Sequence, residues 1–216
     1  MNFLSHYYFD QQKGNGYFNL GLIFPDIVRN FVRGTKLNLN IDISNESNEL
    51  QLLRGCIQHV QSDKIFHSWQ GFHDMMHQVT QQIRASEHDI DKDWFISHIL
   101  VELALDHHLI KANPQLAKNL YTDFETVEIE VLHSFLARND FSNFDQFTLG
   151  FDRFMKHRYL ESYVESDNIV FALGKICNKM GLTPFSDGQK SLLKQLVEEL
   201  CDEMAPWVLK LDEELK

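Results

Sequence analysis

The stretch Gly55 to His67, GCIQHVQSDKIFH, constrains the fold more than any other. On a helix turning about 100° per residue, His59, Asp63 and His67 stand at i, i+4 and i+8 and share one narrow stripe with Leu52, Cys56 and Val60. Arg54, Gln58, Gln61 and Ser62 take the other side. Two imidazoles and a carboxylate therefore point where an amphipathic helix places its core face. That is costly unless they are paired or hold a metal ion.

A second helix repeats the pattern. The segment Asp93 to Lys111, DWFISHILVELALDHHLIK, is apolar nearly all round, which marks a helix buried at the centre of a helical domain. Its exceptions, His98, Glu102 and Asp106, again follow i, i+4, i+8, while His107 projects about 100° away from Asp106. The i, i+4 step separates Cβ atoms by about 5–6 Å, the scale on which side chains share one ion. Mixed imidazole and carboxylate ligands suit Mn, Fe, Zn or Mg, and the lack of thiolates argues against a structural zinc site. A divalent ion so held, with open positions, polarises a phosphoryl oxygen and acidifies a water, so metal-assisted hydrolysis of a phosphoester is the reaction class this pattern serves. The plainer alternative is a hydrogen-bonded His–Asp pair that keeps core helices in register.

The remainder of the chain predicts an all-α fold of seven to ten helices in a single domain over 1–216. A length of 216 residues with 44% hydrophobic side chains and 17 phenylalanines is ample for one real core. The first segment, Met1 to Gln11, is apolar and aromatic around His6 and ends at the turn Lys13 to Gly16. Pro25 fits the first turn of a new helix and places Asp26 beside it, where the helix dipole alone favours an acid. A polar connector near 34–49 precedes the helix that carries His59. Further helices are expected over Gly71 to Ala85, Gln115 to Asn139, Asn143 to Val164, Asn168 to Met180 and Asp187 to Lys216, with Gly181 as a stop and Pro206 as a kink or break.

Several functions are disfavoured. A formal charge of -11 argues against nucleic acid or an anionic membrane surface as partner. No run approaches the roughly 20 apolar residues of a membrane span, and MNFLSHYYF lacks the basic start of a leader, so a soluble, cytoplasmic protein is expected. Cys56, Cys177 and Cys201 are odd in number and widely spaced, which predicts reduced core cysteines. Serine-hydrolase elbows, P-loops and dinucleotide fingerprints are absent. His73, His77, His88, His133 and His157 lie on mixed or polar faces and read as surface residues.

These residues also resemble a family. The start Met1-Asn2-Phe3-Leu4-Ser5-His6, the segment Gly21 to Asp26 followed by Ile27-Val28-Arg29, the Gly55-x-x-x-His59-x-x-x-Asp63 helix, the pair Asp106-His107 and the segment at Tyr159-Leu160 come in the order seen in acyl carrier protein phosphodiesterases. The resemblance runs from Met1 to about Lys179. It implies an HD-domain-like helical fold and release of 4'-phosphopantetheine from holo acyl carrier protein with a divalent cation such as manganese. Carried over position by position, it nominates His6, Asp26, His59, Asp63 and Asp106 as metal ligands, with His107 beside the last. His67 or His107 would then transfer a proton or hold a substrate phosphate.

The chain departs from the family at Leu22 (Asn in the family), Pro25 (Ala), and Phe66-His67 with Ser68-Trp69 (Thr-Asp, commonly followed by His-Pro). His67 in place of a carboxylate preserves a ligand but changes its charge. An acidic carrier protein needs a basic face, for which the chain offers Arg29, Arg33 and Lys36, and Lys156, Arg158, Lys175 and Lys179. That small supply favours a smaller phosphoester. The rival readings are a non-catalytic helical binding or scaffold protein with a relict site, and a metal-dependent oxygenase; the oligomeric state is left open.

Overall fold

Several helices begin with a recognisable device, and the computed structural model shows them in place. It describes residues 1–32, 34–43 and 45–216; Arg33, grouped above with Arg29 and Lys36, lies outside them. Among the described residues there are eleven α-helices, one 3₁₀-helix and no strand. They are α1 Phe3–Asp10, α2 Gly16–Gly21, α3 Phe24–Phe31, α4 Asn48–Ser68, α5 Gln70–Ala85, α6 Asp93–Ala112, α7 Gln115–Phe124, α8 Ile129–Ala137, α9 Phe144–His157, a 3₁₀-helix over Tyr159–Val164, α10 Ser166–Lys179 and α11 Asp187–Glu214. The all-α expectation is borne out, with more and shorter helices than the sequence pattern resolves. Apolar side chains from every one of them merge into one core.

Local chemistry accounts for the boundaries. The Ser47 hydroxyl accepts from Leu50 N–H at 3.2 Å and starts α4, and Ser186 with Gln189 forms a capping box at α11. Pro25 and Asp26 sit in the first turn of α3, as expected. Gly181, at φ 78°, ends α10 in the left-handed conformation while Leu182 N–H returns to Cys177 O at 3.0 Å. Residues 34–43 form the non-helical connector.

Three expected helices differ. The 115–139 segment divides into α7 and α8 around a turn closed by Thr126 N–H and Val127 N–H to Asp123 O and Phe124 O. The 143–164 segment divides at Arg158, whose φ of 46° is left-handed. The last helix, by contrast, is not broken: α11 runs through Pro206. Pro206 and Asp202, whose carbonyl the missing N–H leaves unpaired, both lie on the exposed face, where water can satisfy it.

α6 is the central helix. It packs against α5 and α11 on one side, α1 and α7 on another, and α10 and the 3₁₀-helix on a third. The second key contact is α2 on α4. A Cβ placed on Gly55 would stand 2.1 Å from Phe18 O, and one on Gly21 would stand 2.4 Å from Leu52 O, so the two helices meet backbone to backbone. This contact rotates α4 relative to the stripe drawn from its sequence. Val60 is exposed and Ser62 buried, so the covered face runs Leu52, Cys56, His59, Ser62, Phe66, and Asp63 and His67 stand at its edge. Ser62 escapes the cost of burial by donating to Asp10 Oδ2 at 2.7 Å.

Candidate functional site

Close contact of α2 with α4 brings the α2–α3 corner over the middle of α4, and α1 lies across α6 beside it. His59 Nδ1 is 2.8 Å from Leu22 O, so the ring donates there and keeps the Nε2 lone pair free. A backbone carbonyl holding Nδ1 in this way is the usual device for orienting a metal-binding imidazole. His6 of α1 packs on that ring with centroids 4.1 Å apart. Its Nε2 is 3.8 Å from Asp63 Oδ1, too far for a hydrogen bond. Both ring nitrogens of His6 are buried without a partner, in a side chain of 0% exposure. Burial, then the neighbouring His59, pushes His6 well below the usual histidine range, so the ring is neutral.

The carboxylates around these rings differ in state. Burial works against ionisation of Asp63, but hydrogen bonds from His67 and the Met1 α-ammonium outweigh it and hold the carboxyl well below its ordinary range. The ammonium is 2.7 Å from Asp63 Oδ1 and 3.3 Å from Glu102 Oε1. Burial raises Asp26, opposed by His59 and Arg29, whose guanidinium is 3.2 Å from Asp26 Oδ1.

Asp106 has a different task from the one expected. Its Oδ2 accepts from Leu4 N–H at 3.0 Å and its Oδ1 from Ser5 N–H at 2.8 Å, so a fully buried carboxylate holds the first turn of α1. Burial pushes it up to about 7 despite those bonds. Of the five expected ligands, the structure packs His6 on His59, sets His6 Nε2 3.8 Å from Asp63 Oδ1 and keeps Asp26 within electrostatic reach of His59 and Asp63. Among the described residues, however, no three of these four bring ligand atoms within 4.8 Å of one another, and Asp106 anchors the helix that carries His6.

The two expected proton-transfer groups separate. His107 faces the far side of α6, with Nδ1 2.7 Å from Tyr163 O, a buried Nε2 without partner, and Lys111, Glu198 and His108 near it. It does not join the other expected residues. His67 does, but both its nitrogens are engaged: Nδ1 is 2.8 Å from Asp63 O and Nε2 2.9 Å from Glu102 Oε1. Burial would lower His67, but its bonds to Asp63 and Glu102 raise it to about 9.

Sequence reasoning marked His98 and Glu102 as metal-type residues on a second stripe and left their role open. The structure places Glu102 Oε1 3.3 Å from His98 Nε2 and stacks the His98 ring on His67, centroids 5.0 Å apart. One ligand atom from each of His67, His98 and Glu102 lies within 4.8 Å of the other two. The signal that could have found this was the pairing of the two stripes across helices, at the His67 end of one and the His98 end of the other.

A cavity of about 470 Å³ lined by Phe171, Phe185, Lys175, Lys190 and Lys194 lies between α10 and α11 and shares no residue with this cluster. Cys56, Cys177 and Cys201 are buried and free, as expected. Among the described residues no helix is long and apolar enough to cross a membrane. No family model, no curated protein and no solved structure matches the chain.

Proposed function

We propose that the protein is a metal-dependent phosphohydrolase acting on a phosphodiester, with a divalent cation held by His6, Asp26, His59 and Asp63. The observation that carries this reading is His6: a neutral imidazole with two orphaned nitrogens, set against His59 and facing an ionised carboxylate. A buried polar ring without partners costs about 1–3 kcal/mol, and a cation within reach of its lone pair removes that cost. The donor set, two imidazoles and two carboxylates, fits manganese, iron, zinc or magnesium, with manganese favoured by the resemblance to acyl carrier protein phosphodiesterases. When bound, such an ion supplies polarisation of a phosphoryl oxygen and an acidified water. The chain's own residues do the rest: Leu22 O fixes the His59 tautomer, Asp106 fixes α1, and the α2–α4 contact fixes the distance between them.

A small phosphoester suits the surface better than acyl carrier protein. Arg158 is already bound to Glu125 and Glu161, and Arg29 to Asp26, so these cations are partly spent before an acidic partner arrives. The test is elemental analysis of the purified protein together with hydrolysis of generic phosphodiesters and phosphomonoesters. Asp63→Ala is expected to lower turnover by about 10²-fold or more, since several kcal/mol of charge stabilisation depend on the ion. Unchanged metal content and turnover in that variant would sink the reading.

One observation favours a second reading, a non-catalytic helical protein that keeps the polar centre as structure. Asp106 spends an oxygen lone pair on each of two backbone N–H groups of α1, as a purely structural carboxylate would. That reading predicts no metal in protein purified without chelators and no loss of stability on adding EDTA.

A further inference from the structure

We infer that His67, His98 and Glu102 form a second divalent transition-metal site, at the outer rim of the α4–α6 seam and separate from the buried centre. The inference goes beyond the phosphohydrolase reading and does not depend on it.

The argument starts from the hydrogen-bond chemistry of His67. Its Nδ1 lies 2.8 Å from the Asp63 carbonyl oxygen, which only accepts, so Nδ1 carries the proton. Nε2 points at Glu102 Oε1 from 2.9 Å. In the metal-free protein a proton sits in that contact, and a divalent cation would take the proton's place between the same two atoms. His98 Nε2 approaches the same oxygen from 3.3 Å, so two imidazoles on two helices converge on one carboxylate.

The spacing is that of a coordination sphere. Ligand atoms bound about 2.0–2.1 Å from one tetrahedral ion stand about 3.3 Å apart. The two distances to Glu102 Oε1, 2.9 and 3.3 Å, would open by a few tenths of an ångström, and the two imidazole nitrogens, within 4.8 Å of each other, would draw together around the ion. The shell behind them is built for the purpose. The Asp63 carbonyl sets the His67 tautomer, and Phe72 sets its ring edge-on against both imidazoles, at 5.2 and 5.1 Å.

Exposure distinguishes this site from the first. The side chains of His67 and His98 are 30% and 24% exposed and that of Glu102 13%, whereas His6 is fully buried. Three protein ligands with solvent at the remaining positions is the arrangement of an open rather than a structural site. Asp63 stands between the two clusters: Oδ1 faces His6 and the Met1 ammonium, and Oδ2 lies 3.2 Å from His67 Nδ1. The Met1 ammonium, 3.3 Å from Glu102 Oε1, is the cation that competes for this carboxylate.

The test uses full-length protein stripped with chelator and titrated with Co²⁺, followed by visible absorption and elemental analysis. His98→Gln is expected to bind about one equivalent of Co²⁺ fewer than the parent, or to bind the weaker equivalent at least about 100-fold less tightly. His98→Cys is expected to retain that equivalent and to gain a thiolate-to-cobalt charge-transfer band that the parent lacks. Because His98 is on the rim, neither change threatens the core, and a thermal melt of each variant checks this. His6→Gln should leave the His98-dependent equivalent in place. Parent-like cobalt binding by both His98→Gln and Glu102→Gln, or no charge-transfer band in His98→Cys, overturns the inference. Loss of the rim equivalent in His6→Gln also overturns it, as a separate site. If no phosphoester is hydrolysed while cobalt still titrates into the His98-dependent site, the phosphohydrolase reading fails and this one stands.

Discussion

The α3–α8–α9 region and the α1–α4–α6 region each have a fully buried centre, at Phe147 in one and at His6 and Asp106 in the other, and they are built on opposite principles. Around Phe147 the first packs Phe24, Phe31, Phe141 and Phe151 with ring centroids 5.7–6.3 Å apart, in edge-on, tilted and stacked geometries. The polar ring within that cluster, His133, finds a partner in Thr148 Oγ1 at 2.8 Å. Among the described residues that aromatic cluster leaves no buried ring nitrogen unpartnered, while Asp26, at the start of the same α3, faces the other region. The second half places imidazoles and carboxylates at comparable depth, satisfies most of them through backbone groups, and leaves His6 with none. An aromatic core completes itself by contact, whereas a polar core is complete only when each donor and acceptor is matched. The mismatch at His6 therefore locates function more sharply than the pattern of burial does.

If the two halves are independent, damage to one should spare the other. Phe147→Ala removes a fully buried ring and is expected to cost about 3–5 kcal/mol in urea denaturation, with metal content per folded chain unchanged. Loss of metal from chains that remain folded would show that the aromatic half positions the ligands. The converse experiment adds the ion. At a Mn²⁺ concentration about 100 times its dissociation constant the parent should gain about 2.7 kcal/mol, read as a rise in Tm reversed by EDTA, and Asp63→Ala should gain much less.

How much of this was legible beforehand follows from what each feature depends on. The all-helical fold, the central place of α6 and the turn at Pro25-Asp26 come from periodicity and local chemistry, which one segment carries by itself. The rotation of α4 does not. It is set by the approach of Gly21 to Gly55, a contact between residues far apart in the chain, so Val60 and Ser62 exchanged the faces that the stripe assigned them. The role of Asp106 was hidden for the same reason: its partners are the N–H groups of Leu4 and Ser5, about a hundred residues away. His67 meeting His98 and Glu102 was half visible, since each helix advertised its own i, i+4 pair but neither stated its register against the other. The splits near Glu125 and Arg158 carry no proline or glycine and gave no local warning.

The α2–α4 contact offers the next sharpening, because α2 lies outside both halves and sets the geometry of the one that holds α4. Gly55→Ala places a methyl where Phe18 O already stands and is expected to cost about 1–3 kcal/mol. The displaced corner should also move Leu22 O away from His59 and weaken Mn²⁺ binding, measured by titration calorimetry, more than Phe147→Ala does. Equal affinity in the two variants would mean that the corner does not set the site.

The smallest expected effect is the most discriminating. His6→Leu replaces an orphaned imidazole by an apolar side chain in a cavity of 0% exposure, lined on one face by the His59 ring. If His6 is present only to serve a cation, its burial is a cost to the metal-free fold, and removing it should leave stability in EDTA unchanged or raise it by up to about 1–2 kcal/mol. The same variant should lose most of the Mn²⁺-dependent gain. The two measurements have opposite signs for one substitution, which a general packing defect cannot reproduce, since a defect lowers stability with and without the ion. A fall of more than about 1 kcal/mol in EDTA would mean that the ring is satisfied in the metal-free protein after all, and the distinction between the two halves would no longer hold at His6.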